Sequence, residues 1–138
     1  MTKQYTSRLI IYTLFREEKK YLLIKDSYDN WNFFKSKIQS NETQTKKLIN
    51  QIESKLKLIQ YEFVPGFQKN KKFTFSYESE YVTKTVSWYI VLSHDKDLAK
   101  NINCVWLPFL KAKQKLQNFY DKNILKEVDK FLDIPRLI

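Results

Sequence analysis

Side chains of the types that do chemistry unaided are few in this sequence, and they stand apart. His94, Cys104 and Gly66 are each the sole residue of their kind. His94 closes a strand-like run just before Asp95, Lys96 and Asp97, with no cysteine or histidine at the spacing zinc requires, so no zinc site is expected. A phosphate-cradling loop built on several glycines is excluded in a chain that has one. No spacing assembles a Ser–His–Asp set. Cys104 lies in the apolar stretch 102–107 and has no second cysteine to pair with; a buried, small hydrophobic role is expected, in a reducing intracellular compartment, the cytoplasm first. What the chain has in quantity is positive charge. Its 25 basic residues outnumber 15 acidic ones, for a net +10, and this favours polyanions such as RNA, nucleotides or acidic protein surfaces. Only Arg8, Arg16 and Arg136 are arginines; lysine supplies point charge and solubility, whereas arginine is preferred for bidentate phosphate recognition. The abundance of Lys, Asn and Ile is also what a nucleotide-biased genome produces.

The elements that position these residues follow from periodicity. Residues 8–14 form an apolar, β-branched run, 16–20 a charged turn and 21–25 a second strand, so the pair reads as a hairpin. After the polar loop 26–30 and the segment beginning at Trp31, residues 43–58 take a helical period, with Leu48, Ile49, Ile52 and Leu56 on one face. Ser40, Asn41 and Thr43 are candidate caps, and Glu42 suits the positive end of the helix dipole. Residues 61–67 form a strand bent at Pro65 and Gly66; 73–77 and 83–93 alternate; 103–106 is a short strand. Pro108 then opens a helical tail with segments 109–121 and 124–132. The pattern is α+β, and 138 residues with 43% hydrophobic content support one domain, 1–138, with a core of its own. No apolar run approaches the length a bilayer demands, and residues 1–5 lead directly into a strand-like segment, so neither a membrane span nor a signal peptide is expected.

Trp31, Asn32, Phe33, Phe34, Lys35 and Ser36, followed by Glu42 and a helix, resemble the Nudix box of the dinucleoside-tetraphosphate (Ap4A) hydrolases. In that group a W-x-x-P-K-G segment leads into G-x5-E-x7-R-E-U-x-E-E-x-G-U, with U aliphatic. Ser36 takes the first glycine position, Glu42 the first glutamate, and Ile52 and Leu58 the two U positions. Gly66 with Phe67, then Lys84, Thr85 and Val86 followed by Trp88 and Tyr89, look like the central strands; Val105, Trp106, Leu107 and the helices carrying Phe119 look like the end of a tetraphosphatase. The resemblance thus spans nearly the whole chain. It implies a Nudix fold, a mixed, mainly antiparallel sheet sandwiched between the box helix and the C-terminal helices.

The departures from the box carry the functional expectation. The family's arginine and neighbouring glutamate fall on Asn50 and Gln51, its paired metal-binding glutamates on Ser54 and Lys55, and its closing glycine on Lys57. Three carboxylates thus become an amide, a hydroxyl and an ammonium, a set that a hard Mg²⁺ or Mn²⁺ ion does not favour. Glu53 is one residue out of register, which turns a side chain by roughly 100° around an α-helix. Before the helix, Phe34 replaces the usual proline, and Asn41 replaces the glycine preceding the glutamate while still tolerating a left-handed turn. The resemblance therefore implies a box with no catalytic or metal residues and no cofactor. Lys55 would stand where the cation was lost, near Lys35 and Lys37, and could hold phosphate by fixed charge; its alternative is a solvated helix lysine. Lys84 is a further candidate ligand. Tyr77, Tyr81 and Phe119 are the rings on which the resemblance would stack a base, against the plainer role of strand surface and core. The expected function is a Nudix-fold protein that binds RNA, a ribonucleoprotein such as a ribosome, or a nucleotide without hydrolysing it. One alternative is an active Ap4A-type hydrolase using Glu42, relocated ligands and Mg²⁺ or Mn²⁺. The other is a scaffold for a protein partner.

Overall fold

Two strands of fourteen residues form the middle of the sheet, β1 (Thr2–Phe15) and β7 (Glu80–Ser93). The computed structural model describes residues 2–38, 44–97 and 103–133. β1 and β7 run parallel, with Thr2 opposite Val82 and Tyr12 opposite Leu92. The other edge of β1 is shared. Its first half pairs with β4 (Phe34–Ile38), placing Arg8 opposite Lys35, and its second half forms the expected hairpin with β2 (Glu18–Lys25). β3 (Trp31–Asn32) and β8 (Cys104–Leu107) pair with β2; β5 (Tyr61–Phe63) and β6 (Lys69–Tyr77) pair with β7. Apart from β1 with β7, these pairs are antiparallel. The sheet is therefore mixed, and the chain is α+β as its periodicity indicates.

Alternation along β1 sends consecutive side chains to opposite faces and so builds two cores. Ile10 and Tyr12 join Val86, Trp88 and Ile90 beneath the C-terminal helices α2 (Phe109–Lys115) and α3 (Phe119–Asp133), which contribute Ala112, Leu125 and Val128, with Leu116 from the link between them. Leu9 and Ile11 face the other way, against Phe34 and the box helix residues Leu48, Ile52 and Leu56. The sheet is sandwiched between the two helical layers.

Two helices depart from the sequence reading. The box helix is α-helical as α1 (Gln44–Gln51) and continues as a π-helical turn over Ile52–Leu56. Its buried residues are spaced by four, which drifts by roughly 40° per step in an α-helix. A π turn takes more residues per revolution, which swings Leu56 back toward the stripe of Leu48 and Ile52. The tail is divided earlier than its pattern suggests. Residues 109–121 are not one helix, because the chain is extended at Leu116 (ψ 132°) and Asn118 starts α3 by accepting the Asp121 backbone N–H at 3.1 Å. Asp121 thus belongs to α3.

With a single glycine, the chain places other residue types in the left-handed region: Arg16, Glu17, Asp29, Lys57, Glu78 and Ser79 all have positive φ. Lys57, at the box's closing glycine position, caps the π turn at φ 61°, ψ 30°. Lys57→Gly is expected to raise stability by up to about 1 kcal/mol, since left-handed strain of about 1–2 kcal/mol is relieved and glycine's greater unfolded entropy offsets part of that. A thermal melt at or below the wild-type value would show that Lys57 holds this conformation without strain. Gly66 (φ 87°) turns the chain after β5, where an added Cβ would lie 3.5 Å from the Phe131 ring.

Candidate functional site

The loop after β2 is organised by Asp26. One carboxylate oxygen accepts the backbone N–H groups of Tyr28 (2.8 Å) and Asn30 (3.0 Å), and the other accepts the Asn32 amide at 2.8 Å. Those donors, Asn30 first, hold the Asp26 carboxyl below its ordinary value. The ordered loop delivers the chain into β4, whose Lys35 lines a cavity of about 280 Å³ with Asp26, Asn32, Phe33, Phe34, Ile24 and, from the π turn, Lys55. Two ammonium-bearing side chains from separate elements therefore border one cavity. Among the described residues one carboxylate lines it, Asp26, and it already accepts three hydrogen bonds.

On the neighbouring strand, opposite Lys35, stands a further cationic group. The Arg8 guanidinium donates to Asp121 at 2.7 Å and sits 5.8 Å from the Trp88 ring centre; the Trp88 indole N–H donates to the same Asp121 oxygen at 2.9 Å. Arg8 is 8% exposed and Asp121 fully buried, while Arg8 Nε and the second Asp121 oxygen have no hydrogen-bond partner among the described residues. Lys35 and Lys84 stand close enough to feel this guanidinium. Loss of water around the ammonium, then repulsion from Arg8, lowers the pKa of each; Lys37 lowers Lys84 further. Arg8 and Lys84 line a pocket of about 290 Å³ with Phe73, Phe75, Trp88 and Tyr120 among its walls.

The residues singled out in the sequence are thus distributed rather than gathered. Lys35 and Lys55 share a cavity; Lys37 does not line it and lies toward Lys84. Tyr77 and Tyr81 are exposed and do not form a pair. Tyr77 is opposite Glu80 in the β6–β7 hairpin and Tyr81 is opposite Ser76, which puts the two rings on opposite faces. Phe119 is 71% exposed, and its neighbour Tyr120 is the ring that lines the pocket, 5.5 Å from Phe73 with Lys71 stacked 4.1 Å above it. Asn50, Ser54 and Lys55 are exposed, Gln51 is half-buried, and Glu42 lies outside the described residues. Ser36, at the first glycine position, is buried, and its hydroxyl has no hydrogen-bond partner among the described residues. Cys104 is half-buried rather than buried, and His94 is exposed 3.7 Å from Glu62. Sequence reasoning did not single out Arg8, Asp121, Trp88 or Tyr120 for this pocket; the available signal was an arginine at the head of the apolar run 8–14.

The Nudix resemblance implies a divalent cation on the box helix, and the described residues there do not fit one. Gln51, Ser54 and Lys55 offer an amide, a hydroxyl and an ammonium, and Glu53 accepts the Tyr61 hydroxyl at 2.9 Å. Among the described residues no three His, Cys, Asp or Glu side chains converge as a metal site. Among them, too, no helix is long and apolar enough to cross a membrane.

No protein-family model matches the sequence, and no curated protein matches it as a relative. Solved structures do match the fold. The Ap4A hydrolase of C. elegans in a binary complex superposes with a TM-score of 0.74 at 16% identity, over 93% of this chain and 96% of that one. The E. coli dihydroneopterin triphosphate pyrophosphohydrolase gives 0.68 at 11% identity, over 92% and 97%. The NUDIX domain of Shewanella oneidensis NrtR, solved with ADP ribose, gives 0.68 at 12% identity, over 96% and 90%. The box-like segment, the two-layer packing around a mixed sheet and these superpositions agree: the chain has the Nudix fold, in the form found in Ap4A hydrolases.

Proposed function

We propose that this chain binds a phosphate-bearing ligand, a nucleotide or the backbone of an RNA or ribonucleoprotein, and holds it by lysine charge without hydrolysing it. The observation that carries the reading is the cavity bordered by both Lys35 and Lys55. Lys55 occupies a position where the Nudix box has a metal-binding glutamate, so the charge at that position is reversed in sign. An ammonium fixed there supplies to a phosphate what a bound cation would otherwise supply, and the contact strengthens as water is excluded. The net charge of +10 adds long-range attraction for any polyanion. The NUDIX domain of NrtR is a solved instance of this fold in complex with ADP ribose.

Lys55→Ala is expected to weaken binding of ATP, diadenosine tetraphosphate or a short RNA by roughly ten- to a hundred-fold, the value of one hydrogen bond to a charged group. Its thermal melt should stay near wild type, because the side chain is exposed on a helix and alanine suits a helix well. Calorimetric titration of both proteins with all three ligands makes the comparison. Equal affinities throughout would make Lys55 an ordinary surface lysine and overturn the reading; no binding to any of the three would favour the protein-scaffold alternative.

A further inference from the structure

We propose that β6 is a self-association surface, on which two copies of the chain join antiparallel about a two-fold axis at Phe73 and continue one sheet across the dimer. The inference goes beyond the Lys35–Lys55 reading and shares no residue with it.

β6 is an edge strand. Among the described residues it pairs with β7 alone, so the sheet does not use the backbone groups along its other side. Such edges are usually blunted by shortness, by proline, by a bulge or by lysines. This one is nine residues long, contains no proline, and runs in unbroken register from Lys69 opposite Trp88 to Tyr77 opposite Glu80. Its lysines are confined to one half. Lys69, Lys71 and Lys72 precede Phe73, while Phe75 and Tyr77 follow it, 43% and 62% exposed.

That asymmetry selects the occupant. In an antiparallel pair related by a two-fold axis, residues equally far before and after the axis stand opposite each other, on the same face of the sheet. An axis at Phe73, the middle of the strand, pairs all nine residues: Lys69 with Tyr77, Asn70 with Ser76, Lys71 with Phe75 and Lys72 with Thr74. No lysine meets a lysine, and Lys69 and Lys71 each meet a ring that stem and ammonium can cover. Axes at Lys71 or Lys72 set lysine against lysine, which destabilises a pair. An axis at Thr74 carries the first residues of the strand into the turn at Glu78 and Ser79. The register with the most pairing is therefore also free of like-charge contacts. Tyr120 packs its ring 5.5 Å from Phe73, and the exposed Phe119 beside it brings a further apolar surface close to the axis. An extended acidic segment would suit the lysine half alone and leave Phe75 and Tyr77 uncovered. The +10 charge of each copy opposes association at long range, and salt screens that repulsion.

Sedimentation equilibrium of the full chain over a range of concentrations provides the test. A reversible monomer–dimer equilibrium is expected, tighter as salt is raised. Thr74 is exposed and stands opposite Lys72 twice in the dimer, so it reports the register. At one fixed ionic strength, Thr74→Glu should tighten the dimer roughly three- to ten-fold, and Thr74→Lys should weaken it by a similar factor. Adding Lys72→Glu to Thr74→Lys exchanges the two charges and should restore the tighter dimer. A chain that stays monomeric at every concentration and salt would overturn the proposal and leave the edge to an acidic strand from another protein. A dimer whose affinity ignores both Thr74 substitutions would overturn it as well. Lys55→Ala should dimerise as wild type does, so this proposal and the nucleotide reading fail or stand separately.

Discussion

Asp121→Ala is expected to lower folding stability by about 3–5 kcal/mol, the usual consequence of removing one partner of a buried ion pair. The carboxylate is fully buried and accepts from both the Arg8 guanidinium and the Trp88 indole, so its loss strands a charge and a donor together. In a chain of this length such a change should move the thermal midpoint down by roughly 10 °C or more. Asp121→Asn keeps the shape and an oxygen for the indole but not the charge, and should retain only part of the loss. The informative control is the double replacement Arg8→Met with Asp121→Leu, which removes both charges. It should recover most of the stability, because dehydrating two ions offsets most of their attraction. If Asp121→Ala melted within about 2 °C of wild type, the pair would be solvated in practice and the central role given to Arg8 would fall. The remainder of α3 has its own anchors: Asp129 accepts the Tyr21 hydroxyl at 2.5 Å and pairs with Lys19 at 3.0 Å. The variant should therefore loosen the start of the helix before its end.

The largest effect on activity concerns hydrolysis. With Mg²⁺ or Mn²⁺ present, purified protein is expected to hydrolyse diadenosine tetraphosphate no faster than a buffer control. Enzymes typically accelerate such reactions by at least about 10⁶-fold, so the two outcomes are far apart. A metal-dependent site needs several carboxylates on one face to hold the ion and activate water. Here Ser54 and Lys55 occupy the paired positions, and Glu53 is already bonded to the Tyr61 hydroxyl. A release assay with and without the metal decides it. Turnover that needs the metal and disappears in Glu42→Gln would establish the active-hydrolase alternative and remove the non-hydrolytic reading.

Much of the fold was legible because it rests on local periodicity. The alternation in β1 and β7, the hairpin after Phe15 and the helical stripe of Leu48, Ile52 and Leu56 each follow from side-chain direction in a strand or helix. The rewritten box could also be read directly, since register counted from Trp31 and Ser36 places Asn50, Gln51, Ser54 and Lys55 without any structure. The π turn could not be read that way, because it depends on fitting Leu56 into a core whose other wall is the sheet. The division of the tail was set by a single cap, Asn118, whose side chain satisfies the first turn of α3 better than a continuous helix would.

The candidate site depended far more on tertiary structure. Tyr77 and Tyr81 are four residues apart, which in one strand would put them on one face. The two-residue turn at Glu78 and Ser79 pairs Tyr77 with Glu80 and so turns Tyr81 to the opposite side. Phe119 and Tyr120 begin the same helix, and only the angle at which α3 meets the sheet decides that Tyr120 lines the pocket. Arg8 and Asp121 are 113 residues apart in sequence. Composition and spacing determined that the chain is basic, Nudix-like and short of carboxylates on its box helix. Which cations are buried, which carboxylate pairs with them and which rings stand beside them was decided by packing, because those choices depend on distances between elements that no local pattern encodes.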